Sequence, residues 1–84
     1  MGLEWNELKN RRLKLVRGKS FQDVIAMRLI GAGRHPHRPA QSFLLYEDRG
    51  YVWVVPYVMS DEKVFLKTLY ASRKYTKMFQ KGEL

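Results

Sequence analysis

Three runs of strand-forming residues, Ser42–Tyr46, Tyr51–Met59 and Val64–Ala71, are separated only by Glu-Asp-Arg-Gly and Ser-Asp-Glu-Lys. A parallel crossover needs about a dozen residues or more, so connections this short make the three runs an antiparallel meander. In the middle run Val52, Val54, Pro56 and Val58 point one way and Tyr51, Trp53, Val55 and Tyr57 the other. Both faces are largely apolar, which places that strand in the centre of a sheet covered on both sides. Pro56 pulls against this reading, because it has no N–H to give to a ladder, and it points to a bulge or an edge.

The flanking segments supply the cover. Residues 2–5 can form a short strand, and Asn6 caps a helix that runs to about Arg17 and stops at Gly18. At about 100° per residue Leu8, Leu13, Leu15 and Val16 share half the circumference, with Arg11, Lys14 and Arg17 opposite, an amphipathic pattern with a basic outer face. Ser20 and Asp23 have capping-box spacing, and the apolar stretch Phe21–Ile30 reads as a short covered helix ended by Gly31 and Gly33. Residues 31–41, with two Gly, two Pro and both His, read as the one substantial loop. Ser72 caps a short basic helix to about Lys81. The expected order is β-α-α-β-β-β-α, an α+β fold with helices packed on an antiparallel sheet, and 84 residues give a single domain spanning 1–84.

Charge narrows the function. Sixteen Lys and Arg against eight Asp and Glu give a net charge of +8, and polyanions are the natural partners of such a surface. Nine bases and only Asp23 lie between Lys9 and Arg38, and five bases with no acid lie between Lys67 and Lys81. The absence of cysteine excludes a thiol nucleophile, a thiolate metal site and a disulfide scaffold. No apolar run approaches the roughly 20 residues of a membrane span, and the N-terminus has no signal-peptide core, so a cytoplasmic protein without a membrane partner is expected.

Two segments resemble a known family. Leu3-Glu4-Trp5-Asn6-x-x-Lys9-Asn10 followed by Gly18-x-Ser20-Phe21 is similar to the W-D-x-x-K-N and H-G-V-S-F opening of BrnT-type toxins. Arg73-Lys74-x-Thr76-Lys77 is similar to their R-K-A-T-R ending. The resemblance implies a RelE-like fold and a type II toxin–antitoxin toxin. It further implies metal-independent endoribonuclease action that stops translation, no cofactor, and a cognate antitoxin, a small protein that also binds operator DNA. The chain departs from the pattern at three places: Arg17 stands where the family has His, Leu13 where it has Asn, and Phe79 where it has an acid.

Cutting RNA without a metal requires a base for the 2′-OH proton, an acid for the leaving 5′-oxygen and cations for the charge building on phosphorus. His35 is the candidate for proton transfer, and Arg34, His37 and Arg38 beside it are candidates for nucleic-acid contact, the alternative being an ordinary exposed loop. A metal site on the two histidines lacks further ligands and is not expected. The second cluster is Lys67, Tyr70, Arg73, Lys74 and Lys77. Arg73 leads because a guanidinium grips phosphate in two-pronged fashion, while Lys67 and Lys74 act as point charges or as acids. Lys77 extends the field, and Tyr70 and Tyr75 can stack on bases, with the core the favoured place for Tyr70 and the expected one for Trp5, Trp53, Phe43 and Phe65. Competing with the toxin reading are a non-catalytic RNA- or DNA-binding module and a basic interaction protein that receives an acidic partner.

Overall fold

A computed structural model describes residues 2–34, 37–38 and 41–84. The elements are β1 (Leu3–Glu4), α1 (Glu7–Arg17), α2 (Phe21–Ile25), β2 (Arg28–Arg34), β3 (Ser42–Asp48), β4 (Tyr51–Ser60), β5 (Lys63–Leu66), β6 (Tyr70–Ser72) and α3 (Arg73–Gln80). The α+β class expected from the sequence is the one observed, with the helices on a mostly antiparallel sheet of order β1-β5-β4-β3-β2. Two strands join the expected order. Tyr70–Ser72 leaves the third run to pair separately with β4, and Arg28–Arg34 pairs with β3.

The meander stands because its turns have the right chemistry. Arg49 and Gly50 both take positive φ, as do Asp61 and Glu62, the conformation of two-residue loops whose twist matches the strands they join. Gly50 N–H also donates to the Glu47 carboxylate at 2.8 Å. Pro56 does lie in a central strand, and the pairing explains how. β5 and β6 lie end to end along the same edge of β4, with Tyr57 opposite Leu66 and Val54 opposite Tyr70. Pro56 falls in the gap between them and offers only its carbonyl, which accepts from Lys67 N–H at 2.8 Å. The missing donor costs nothing where no strand needs it.

The second helix is shorter than its sequence pattern. It ends at Ile25, and Arg28–Arg34 is a strand. Without it β3 would expose a bare edge, so the gain from pairing overrides the helical leaning of Met27–Ile30. The register slips between Leu29 and Gly31, the mark of a bulge. Gly33 lies against the Phe43 ring, and a Cβ there would run into it. The glycines that look like loop residues therefore serve an edge strand.

Two apolar clusters sit on opposite faces of the sheet. Leu13, Phe21, Val24, Tyr46, Val55, Val64, Leu66 and Leu69 pack under α1 and α2, with Trp5 and Trp53 against them. Leu45, Val52 and Val54 pack under α3, with Ile30, Phe43, Tyr75 and Phe79. Asn6 and Ser20 cap α1 and α2 as their spacing predicts, and the Ser20–Asp23 capping box is complete. α1 buries a narrower stripe than its periodicity suggests. Only Asn10 and Leu13 are buried, while Leu8, Leu15 and Val16 face outward.

Asn10 takes a place that hydrophobic periodicity cannot reveal. Its Oδ1 accepts from Phe21 N–H at 2.7 Å and its Nδ2 donates to Gln22 Oε1 at 2.7 Å, which locks α2 to α1. Lys14 pairs with Asp23 at 2.8 Å across the same junction. That ammonium, with the Ser20 N–H, holds the Asp23 carboxyl down at about 2. Arg17, read from sequence as an outer-face cation, donates to the carbonyl of Leu69 and ties the end of α1 to the segment before β6.

Candidate nucleic-acid interface

α3 has eight residues and β4 has ten, so a helix about 12 Å long lies on a strand about 33 Å long. Part of that sheet face is left uncovered. The result is a hollow of about 460 Å³ beside the start of α3, lined by Gln41, Ser42, Phe43, Val54, Pro56, Tyr70, Ser72, Lys74 and Tyr75. Its size falls in the range of about 300–1,000 Å³ typical of small-ligand sites. Thr76 anchors the helix above it by accepting from Val52 N–H at 2.9 Å, and Ser72 caps the first turn by accepting from Tyr75 N–H at 3.1 Å.

The hollow combines aromatic faces with cations. Phe43 and Tyr75 are half-buried, with ring centroids 5.7 Å apart and planes tilted by 47°. The Lys74 ammonium sits 5.4 Å from the centre of the Tyr75 ring. Tyr70, expected in the core, is 42% exposed and lines the hollow. It shares the Val54 face of the sheet by register, where α3 is too short to cover it. No carboxylate is among the lining residues. Flat rings beside an unopposed ammonium suit the stacking of bases and the neutralising of phosphates.

The sequence candidates divide over the molecule. Arg73 and Lys77 are exposed one turn apart on α3, and Arg73 stands between Ser72 and Lys74, both of which line the hollow. Arg34 is exposed and pairs in register with Ser42, at the same end of the hollow. The Arg38 carbonyl accepts from Gln41 N–H at 2.8 Å, which brings the end of the His37–Arg38 segment to the rim. His37 is exposed, and His35 lies outside the described residues. Lys67 is elsewhere: it lines a groove with Asn6, Leu8, Lys9 and Arg12 against α1, its ammonium 5.7 Å from the Phe65 ring. Among the described residues no cluster of His, Asp and Glu could hold a metal ion, and no helix is long and apolar enough to cross a membrane.

No protein-family model matches the chain, and no curated protein matches it. Among solved structures, the crystal structure of the Brucella abortus ribonuclease toxin BrnT is similar, with a TM-score of 0.65 over 86% of this chain and 96% of that one, at 18% sequence identity. The chain has the BrnT-type toxin fold. At that identity the likeness concerns the fold, and the roles of residues rest on the geometry above.

Within this BrnT-type fold the three departures noted in the sequence are taken up by packing. Leu13 is a core residue. Arg17 holds the Leu69 carbonyl, and Phe79 lies over the second cluster with the Arg28 guanidinium 5.7 Å from its ring. None of the three presents a proton donor or acceptor to the hollow. Phe43 lines the hollow although its aromatic character reads as core in the sequence, Tyr70 does so although the core is the favoured reading there, and Pro56 does so although its sequence signal is only a bulge or an edge. The available signal was the length mismatch between the last helix and the central strand.

Proposed function

We propose that residues 1–84 form one toxin-like domain of a type II toxin–antitoxin pair, acting on RNA in the cytoplasm. The observation that carries this reading is the hollow beside α3, where Phe43, Tyr70 and Tyr75 stand with Lys74 on a fold shared with a ribonuclease toxin. A single-stranded segment would stack its bases on the rings and run its phosphates past Lys74, Arg73 and Arg34, with Lys77 and Arg38 extending the field. Cleavage without a metal assigns His35 to the 2′-OH proton, Lys74 to the leaving 5′-oxygen and Arg73 to the charge on phosphorus. Lys67, on the α1 side, contributes to attraction at a distance. The partner is an antitoxin, a small DNA-binding protein through which the pair reaches its operator.

A second reading, binding without cleavage, is favoured by the structural roles of Arg17 and Phe79. Two alanine variants separate the readings. If Arg73 contacts the scissile phosphate, Arg73→Ala lowers the cleavage rate by about a hundred- to a thousandfold, roughly 3–4 kcal/mol, with an unchanged melting curve. Arg73→Lys recovers part of that loss, since it keeps the charge but not the fork. On a surface that only binds, Arg73→Ala and Lys81→Ala weaken RNA affinity by similar small factors, each lowering the salt slope by about one unit.

A further inference from the structure

The hollow beside α3 holds one group that stacking and charge leave unused. Side chains of β3 alternate between the faces of the sheet, Leu44 and Tyr46 toward the α1 and α2 cluster and Phe43 and Leu45 toward the α3 cluster. Carried back toward the start of the strand, the alternation puts Gln41 on the face of the hollow, which it lines, and turns the Ser42 side chain away. Gln41 is half-buried, and its backbone N–H donates to the Arg38 carbonyl at 2.8 Å. Its side-chain amide has no hydrogen-bond partner among the described residues.

The other polar side chains of the lining are engaged or of another kind. The Ser72 hydroxyl accepts from Tyr75 N–H at 3.1 Å, and the Lys74 ammonium lies 5.4 Å from the centre of the Tyr75 ring. Gln41 alone among the lining residues presents a donor and an acceptor side by side in one plane. That pattern meets the edge of a base with two hydrogen bonds while the rings take its face.

The rest of the lining selects the base. Phe43, Tyr70 and Tyr75 offer more ring surface than a pyrimidine covers, so a two-ring purine gains more from stacking. Of the purines, adenine turns an acceptor, N7, and a donor, the N6 amino group, toward an amide, and both are answered. Guanine presents two acceptors, N7 and O6, which leaves the amide oxygen facing an oxygen. Its other edge carries N–H donors, and no carboxylate lines the hollow to receive them.

We propose that Gln41 is a specificity-determining residue that reads an adenine seated in the hollow. The proposal rests on the hollow receiving single-stranded RNA and adds which base is held there.

The test compares four dye-labelled pentanucleotides, U-U-X-U-U with A, G, C or U at the centre, made with 2′-fluoro ribose so that no 2′-hydroxyl can act as nucleophile. Fluorescence anisotropy with the full chain should show the adenine pentamer binding at least about tenfold more tightly than each of the others, the scale of one two-bond base contact. Gln41→Ala should bring that ratio close to one with an unchanged melting temperature, because the bond to the Arg38 carbonyl belongs to the backbone. Gln41→Arg should turn the preference to guanine, whose N7 and O6 accept both prongs of a guanidinium. Equal affinity for the four pentamers, each weakened by Tyr70→Ala, would overturn the proposal and leave RNA binding at the hollow standing. So would an adenine preference that survives Gln41→Ala, or a guanine preference that Lys74→Ala removes. Failure of all four to bind, or binding that Tyr70→Ala does not touch, would overturn the RNA assignment of the hollow and the proposal with it.

Discussion

On the α1 and α2 side of the sheet, polar groups are matched with one another: Asn10 with Phe21 and Gln22, Arg17 with Leu69, Lys14 with Asp23. On the α3 side, a short helix is pinned by Thr76 and leaves Tyr70 and Lys74 facing a hollow without a carboxylate. The first face spends its side chains on order and the second keeps rings and cations available. Substitutions on the two faces should therefore fail in different assays, folding for the first and ligand binding for the second.

The largest effect is expected at Phe21, fully buried and stacked on Trp5 at 5.6 Å. Phe21→Ala should cost about 3–5 kcal/mol in chemical denaturation, while whatever remains folded binds RNA as before. A loss of RNA affinity in the folded fraction would break the division between the faces. Next comes Asn10→Ala, which strands the buried Phe21 N–H and loosens α2. It should lower stability by about 1–3 kcal/mol. Tyr70→Ala sharpens the other side. It should reduce affinity for a single-stranded RNA by about 1–3 kcal/mol, the worth of one stacked base, with no change in melting temperature.

The smallest effect is tied to pH. Because Lys14 and the Ser20 N–H hold the Asp23 carboxyl at about 2, below the ordinary 3.8, its contribution is complete above about pH 4 and is lost as pH falls through about 2. The pair is partly exposed and screened, so it stabilises by less than about 1 kcal/mol. Asp23→Asn should remove that part of the acid limb of stability measured between pH 4 and pH 2, with RNA affinity unaffected. An acid limb of unchanged depth would show that the link does not bear on folding.

The reach of the sequence follows the range of the forces involved. The Asn6, Ser20 and Ser72 caps, the stop at Gly18 and both hairpin turns are local, and the chain spells them out. β4 announced its central place through two apolar faces. β2 did not, since Arg28–Arg34 becomes a strand only because β3 offers an edge, and Gly33 matters only once Phe43 lies across it. The same holds for α1, where periodicity counts Leu8, Leu15 and Val16 as core while the sheet takes only Leu13. For the site, Lys74, Tyr75 and Arg73 were legible as cations and a ring at one helix start. Phe43 and Tyr70 were not, because exposure depends on how far α3 reaches over the sheet.

On the proposed reading the α3 face, and not the charge of the whole chain, receives RNA. Titrating the labelled chain with a short single-stranded RNA while following the aromatic and backbone resonances tests it most directly. The hollow predicts saturable shifts of the Phe43, Tyr70 and Tyr75 rings and of the Lys74 amide, with α1 unmoved. Shifts spread evenly over Lys and Arg residues on both faces, or concentrated along α1, would contradict it.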